Sequence, residues 1–312
     1  MRIVSLSPAG TEWVAAFGGL GDLVGRSHAC DTPPEVAGLP VVTRPDSGAD
    51  PARRSGTTER WFRAYSGDAA RPIYVSLTRL VDLQPELILS WMRPEACTEL
   101  ESLLSGGITE GVSPRARVVS MHADTMKQVL SGALRVGRCV GRAAASMQAV
   151  ASLEMRLKML RDRVGLERTI EASQLPSVAL LERLDPPAVG ARWIEDVIEL
   201  AGGRSVCARI GMRSEALRWD ALRSEDPDVL ALAQGGTDLA GARRSIHGLS
   251  RRFGWGELAA VRAGRVFLFD GRAYFNRPGP RLYRSIELMA AALFGARAGV
   301  DAAPHEMAHP PS

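Results

Sequence analysis

Apolar positions along this chain fall into two alternating rhythms. Short runs rich in apolar residues at 3–6, 23–25, 41–43, 86–91 and 116–120 read as strands. Between them lie stretches with helical spacing, such as residues 95–104. From 124 to 164 the pattern is helical throughout. Met126, Leu130, Ala133, Gly137, Val140, Ala144, Met147 and Ala151 recur at steps of four and three, which predicts one continuous apolar stripe. Gly137 and Gly141 weaken it and predict a break near Gly141. The piece after the break, residues 142–164, would span ~35 Å at the α-helical rise. The first rhythm then returns, with strands at 177–182, 229–233 and 265–269 and helices at 193–201 and 280–294. Gly202-Gly203 closes the first of these helices.

Strand–helix alternation of this kind predicts α/β architecture with mostly parallel sheets. Two stretches echo each other: Gln84-Pro85-Glu86 precedes one strand and Asp226-Pro227-Asp228 another, a faint internal repeat that suits two Rossmann-like lobes of similar build. The predicted organisation is an N-terminal lobe over 1–123, a helical segment over 124–164 that includes the interlobe helix, a C-terminal lobe over 165–297 and a disordered tail over 298–312. Residues 44–72 are polar and read as an excursion from the first lobe, with a short helical piece at 58–65.

Composition narrows the function classes. The chain has 312 residues, 46% of them apolar, a net charge of +4 and four cysteines. Lys occurs only at 127 and 158, so the pI near 9.1 comes from Arg scattered along the whole chain. Scattered Arg is not a nucleic-acid footprint, which needs a clustered patch, and the pairs Arg53-Arg54 and Arg251-Arg252 are too small to make one. No apolar run reaches the length of a bilayer span. No basic-then-apolar leader precedes the first strand, and Cys30, Cys97, Cys139 and Cys207 form no Cys-x-x-Cys pair. These features predict reduced thiols and a cytoplasmic protein.

Three stretches could carry chemistry. "SHACDTPPEV" (27–36) places His28, Cys30 and Asp31 together after a strand. His and Cys suit soft or borderline metals, although the same side chains could simply hold the loop. "SWMRPEACTEL" (90–100) puts Trp91 and Cys97 at the end of the 86–91 strand, where open α/β sheets bind ligands. "DGRAYFNRPGPRL" (270–282) carries Tyr274 and Phe275 ahead of a Pro-Gly-Pro turn; adjacent aromatics in a stiff loop suit a flat apolar ligand or lid packing. No Gly-x-Ser-x-Gly, P-loop or dinucleotide-binding glycine pattern occurs, and nothing argues for catalysis.

Taken in order, "RIVSLSPAGTEWVAAFG", "VGRSHACDTPPEV", "LQPELILSW", "RWIEDVIELAGG", "DPDVLALA" and "WGELAAVRAGRVFLFDGRAYFNRPGPRL" resemble the cobalamin/iron-siderophore class of periplasmic-binding-protein-like substrate-binding proteins. They look closest to its leaderless cobalamin-binding branch. The motif Tyr-Phe-Asn-Arg-Pro-Gly-Pro-Arg of that branch is matched in full at 274–281, whereas its Ser-His-Glu-Cys-Asp-Tyr-Pro-Pro departs at Ala29 and Thr32. The resemblance implies two α/β lobes of the class III type joined by a single long helix. It also implies a corrinoid or related tetrapyrrole held in the interlobe cleft by aromatic side chains. Trp91 and Tyr274 fit two of these, with Tyr74, Phe275, Arg192 and Trp193 as further candidate contacts. A position aromatic in the periplasmic members is Ala188 here. His28, Cys30 and Cys97 are candidate ligands to the metal of the bound cargo.

The implied partner is thus a small molecule, with no nucleic acid, no membrane insertion and no cofactor required. Importer-feeding relatives dock through one Glu on each lobe, and those positions are Thr78 and Asn276 here, so importer docking is not expected. The rival readings are an ABC-importer substrate-binding protein for cobalamin, iron-siderophore or haem, and a corrinoid-modifying enzyme using Cys30 and His28.

Overall fold

The computed structural model describes residues 1–46, 60–64, 73–105, 116–166, 171–190, 192–207 and 216–310. These divide into two compact units, Met1–Ala123 with Lys127–Ala151, and Asp124–Met126 with Ser152–Ser312.

The first unit is built on a four-stranded parallel sheet. In chain order its elements are β1 (Ile3–Ser5), α1 (Pro8–Ala16), β2 (Leu23–Arg26), β3 (Thr43–Pro45), β4 (Trp61–Ala64), β5 (Ile73–Ser76), α2 (Leu77–Leu83), β6 (Leu87–Ser90), α3 (Pro94–Ser105) and β7 (Arg117–Ser120). The sheet order is β2-β1-β6-β7. Ile3, Val4, Ile88 and Leu89 are completely buried in its central strands, which is why these strands read as continuous apolar runs. Ser7 caps α1, its Oγ accepting from Gly10 N, and Pro8 fills the first helical position, where no N–H is needed.

The excursion at 44–72 lies largely outside the described residues, as does the Arg53-Arg54 pair. Its described part corrects the helical reading of 58–65: residues 61–64 are β4, which pairs with β5 in the antiparallel order β3-β5-β4. Phe62, Ala64 and Val75 of this small sheet share a core with Val4, Ile88 and Leu100.

The helical segment is α4 (Met126–Cys139) and α5 (Ala143–Val164). The break falls where expected, with Gly141 in the left-handed region at φ 70°. The single continuous stripe does not survive it. Val129, Ala133, Val136 and Val140 are buried, but Ala144, Met147 and Ala151 are exposed, Met147 at 64%. The turn at Gly141 resets the helical phase, and α5 instead buries Ser146, Val150, Leu153, Leu160 and Val164. Gly137 lets α4 and α5 touch, since a Cβ there would lie 2.1 Å from Ser146 Oγ. The boundary between the two units falls within α5.

The second unit comprises β8 (Ser177–Leu184), β9 (Pro187–Val189), α6 (Trp193–Leu200), β10 (Arg204–Ser205), α7 (Trp219–Glu225), β11 (Val229–Leu232), α8 (Leu239–Ser250), α9 (Ala259–Arg262), β12 (Val266–Phe269), α10 (Leu282–Phe294) and β13 (Met307–Ala308). Its sheet runs β10-β8-β11-β12-β13, with β9 folded back on β8. β13 is antiparallel to β12, so the segment read as a disordered tail is in part a strand. Its anchor is Glu306, which is 6% exposed and ion-paired to Arg284. A strand of two residues, Met307 and Ala308, is too short for the apolar-run criterion to find.

The echoed tripeptides have one physical role. Gln84 and Asp226 end α2 and α7 in the left-handed region, a proline follows, and the acid then accepts from a backbone N–H at the start of the neighbouring strand, Arg2 just before β1 and Ser177 opening β8. Glu86 Oε2 takes Arg2 N at 2.7 Å, and Asp228 Oδ2 takes Ser177 N at 2.8 Å. These bonds from Ser177 hold the Asp228 carboxyl below its usual range.

Candidate functional site

In the first unit, β1, β6 and β7 end in Ser5, Ser90 and Ser120, and β2 is followed by Ser27. These short hydroxyls bond the backbone and fix the loops at the carboxyl edge of the sheet, the edge where open α/β sheets hold ligands. Ser90 Oγ accepts from Met92 N at 3.0 Å, and Ser120 Oγ donates to Met92 O at 2.7 Å. Residue 91 thereby precedes a residue, Met92, whose N–H and carbonyl are both bonded. The half-buried Trp91 ring lies 6.3 Å from that of His122, tilted by 44°. The sequence reading missed His122; its signal was its place two residues past the end of the strand at 116–120.

The 27–36 loop is organised around a buried thiol. Cys30 is 2% exposed. Its Sγ lies 3.0 Å from Thr11 Oγ1, which donates to it, and 3.2 Å from Ser27 Oγ. Arg26 Nη1 donates to the Cys30 carbonyl at 3.0 Å. His28 points elsewhere: its backbone N–H donates to Thr43 Oγ1, and its Nδ1 lies 2.7 Å from the same oxygen. Desolvation lowers the His28 pKa, so the ring is neutral at pH 7. Cys97 is 4% exposed on α3, donates to Met92 O at 3.6 Å, and has its pKa raised, chiefly by burial. Burial takes the Cys30 and Cys97 thiols away from a cargo metal, whereas His28 remains exposed. Both thiols are turned into the core with their own partners, and no group of three or more His, Cys, Asp or Glu among the described residues could hold an ion.

Tyr74 is also a core residue, at 5% exposure in β5 opposite Arg44 and Arg63. Its ring is thus packed away from solvent rather than presented on the surface of the small sheet.

In the second unit, the 270–281 loop is tied to the ends of β11 and β12. Asp270 Oδ1 accepts from Arg272 N and Ala273 N, an Asx turn. Asn276 Nδ2 donates to Ala233 O at 2.9 Å and to Gly271 O at 3.0 Å. Gly271 is obligatory, because a Cβ would lie 2.2 Å from the Gln234 carbonyl oxygen. Phe275 turns inward. Its φ is 61°, it is completely buried, and its ring centroid lies 4.8 Å from that of Phe269. Its backbone N–H donates to Ser285 Oγ at 2.9 Å, and its carbonyl accepts from Trp193 Nε1 at 2.8 Å.

Phe275 and Trp193, read from sequence as ligand contacts, are thus the pivot of the loop. Trp193 is 7% exposed. Arg192 is ion-paired to Asp124 Oδ1 at 2.5 Å, with its side chain 9% exposed. Ala188 is sealed inside β9 at 0% exposure.

Tyr274 faces the other way and is half-buried. Its hydroxyl donates to Glu306 Oε1 at 2.9 Å, and the Arg281 guanidinium lies 5.9 Å from its ring centroid. Burial, with the Glu306 carboxylate beside it, pushes its pKa up to about 12, so the ring stays neutral. Glu306 also accepts from Arg284 Nε at 2.9 Å, Arg284 Nη2 at 2.6 Å and Ala303 N at 2.8 Å. These bonds, Arg284 foremost, hold its carboxyl down at about 2. The sequence reading missed Glu306 because it was assigned to a tail.

The sequence profile described as periplasmic binding protein matches residues 3–273. A vitamin B12-binding protein of Vibrio parahaemolyticus is 21% identical over 91% of this chain and 86% of its own. Among solved structures, a periplasmic heme binding protein from Pseudomonas aeruginosa superposes with a TM-score of 0.71 at 21% identity, covering 100% of this chain and 98% of the other. The periplasmic vitamin B12 binding protein of Vibrio cholerae gives 0.66 at 18% identity, covering 96% and 98%. These matches overturn the cytoplasmic assignment: the family and the relatives are periplasmic proteins, which points to a periplasmic or extracellular location. No helix among the described residues is long and apolar enough to cross a membrane.

Proposed function

The chain belongs to the periplasmic binding protein family, and on that premise we propose that it binds a corrinoid such as cobalamin, or a related tetrapyrrole, at the carboxyl ends of its parallel strands. The observation that carries the reading is the contrast between the aromatic candidates. Trp91 and Tyr274 stay half-buried and are held by bonds at strand ends, while Phe275, Trp193 and Tyr74 pack inward. A rigid, partly exposed aromatic side chain at a strand end suits a large flat ring, which gains from apolar burial without needing an ion pair. The relatives named for vitamin B12 and the structure named for heme give the same chemical class.

The activity is binding without turnover. Cys30, the nucleophile of the enzymatic reading, is enclosed by Thr11 and Ser27, and His28 is engaged with Thr43. Visible-band titration with aquocobalamin, cobinamide and haem under reducing conditions tests both parts. Saturable binding of at least one, with the ligand recovered chemically unchanged, is expected. No binding of any of the three, or recovery of a modified ligand, would overturn the reading.

Docking on an importer through paired carboxylates is outside this proposal. Thr78 Oγ1 accepts from Arg60 N at 3.0 Å, and Asn276 is spent on two backbone carbonyls; neither carries the charge that orients such encounters. In a strain lacking its own cobalamin receptor, cobalamin uptake with this chain supplied in the periplasm should stay at background. High-affinity uptake would instead establish delivery to an importer, which the family favours.

A further inference from the structure

The second unit holds a cavity of about 560 Å³ at the amino end of β12, the end opposite the Asp270 loop. Ile246, Val261 and Val266 supply apolar lining, and Trp255, His247 and His309 supply rings. We propose that this cavity is a second ligand site, for an uncharged, flat heteroaromatic molecule carrying one ring N–H.

The volume lies within the range of small-molecule sites. No Asp, Glu, Lys or Arg is among its lining residues, so a charged ligand would find no carboxylate, ammonium or guanidinium partner in its walls. The walls are pre-formed. Trp255 is stacked on Trp219, with ring centroids 6.4 Å apart and planes within 16°. The Trp219 indole is fixed in turn by donating to the Phe253 carbonyl at 2.8 Å. The His309 ring lies 4.7 Å from that of Phe267.

The polar requirement follows from His309. Its Nδ1 lies 3.1 Å from the Val266 carbonyl oxygen. A carbonyl only accepts, so Nδ1 carries the proton, and the acceptor nitrogen of that tautomer is Nε2. A ligand N–H complements it. The C-terminal segment that brings His309 to the cavity is held by β13 and by Glu306, so this wall belongs to the folded unit.

The test uses 2-phenylindole and its 1-methyl derivative, which lacks the N–H, followed by ligand fluorescence on the full chain. The parent should bind 2-phenylindole at one equivalent and the methylated probe about tenfold more weakly. H309F should abolish that preference, and V261W, which fills the cavity, should remove binding of both probes. W91A should leave probe binding unchanged, which separates this site from the proposed tetrapyrrole site. Failure of the parent to bind 2-phenylindole would overturn the proposal. So would equal affinity for the two probes, a preference that survives H309F, or dependence on Trp91.

Discussion

Replacing Glu306 by Gln removes one charge from a carboxylate that accepts from Tyr274, Arg284 and Ala303, while keeping its shape. The folded state holds this carboxyl at about 2 against 4.5 for a free side chain. At 1.36 kcal/mol per pH unit, that depression corresponds to about 3 kcal/mol of stability at neutral pH. Removing one partner of a buried ion pair costs about 3–5 kcal/mol, but Arg284 keeps its bond to Glu287 at 3.1 Å and is 25% exposed. A loss of about 2–3 kcal/mol is therefore expected for E306Q at pH 7. The sign with pH is fixed by the direction of the shift. A depressed carboxyl stabilises fully above its unfolded pKa and loses that contribution as pH falls from about 4.5 towards 2, so less than half remains near pH 3. Urea unfolding followed by circular dichroism at pH 7 and pH 3 measures both quantities. The parent should exceed the variant clearly at pH 7 and by less than half as much at pH 3. A difference below about 0.5 kcal/mol at pH 7, or one that does not shrink in acid, would refute the argument.

Other substitutions probe the remaining links. W91A should weaken the tetrapyrrole that the parent binds by about 1–3 kcal/mol from lost apolar area, and parent-like affinity in the spectral titration would place the ligand elsewhere. G137A should lower the melting temperature despite the better helix propensity of Ala, because overpacking costs about 1–3 kcal/mol and the Cβ would meet Ser146. Adding S146G should restore it, and an unchanged midpoint in the single variant would show that α4 and α5 do not meet there. G271A should loosen the 270–281 loop, since the added methyl faces the Gln234 carbonyl; faster amide exchange at Tyr274 and Asn276 is the readout, and unaltered exchange would count against the loop's proposed anchoring.

Much of the architecture was legible in the linear pattern. Runs such as 87–89 and 229–233 are apolar at successive positions because each strand is enclosed on both faces, and a local property of the chain reports that directly. The echo of Gln84-Pro85-Glu86 and Asp226-Pro227-Asp228 was visible as well, though its purpose was not: the bonds of Glu86 and Asp228 reach Arg2 and Ser177, at the starts of strands far away in sequence. Residue type alone could not tell Trp91 and Tyr274 from Phe275, Trp193 and Tyr74. Orientation decided that. The left-handed φ of Phe275 sends its ring inward and leaves Tyr274 facing outward. The same holds for Cys30, whose thiol chemistry is set by the hydroxyls of Thr11 and Ser27 that the fold brings to it. Glu306 looked like part of a small, polar, proline-containing tail, and only its pairing with Arg284 makes that tail structure. A sequence reports what a residue contributes over one turn or one strand, whereas partners separated by tens of residues are chosen by the tertiary fold.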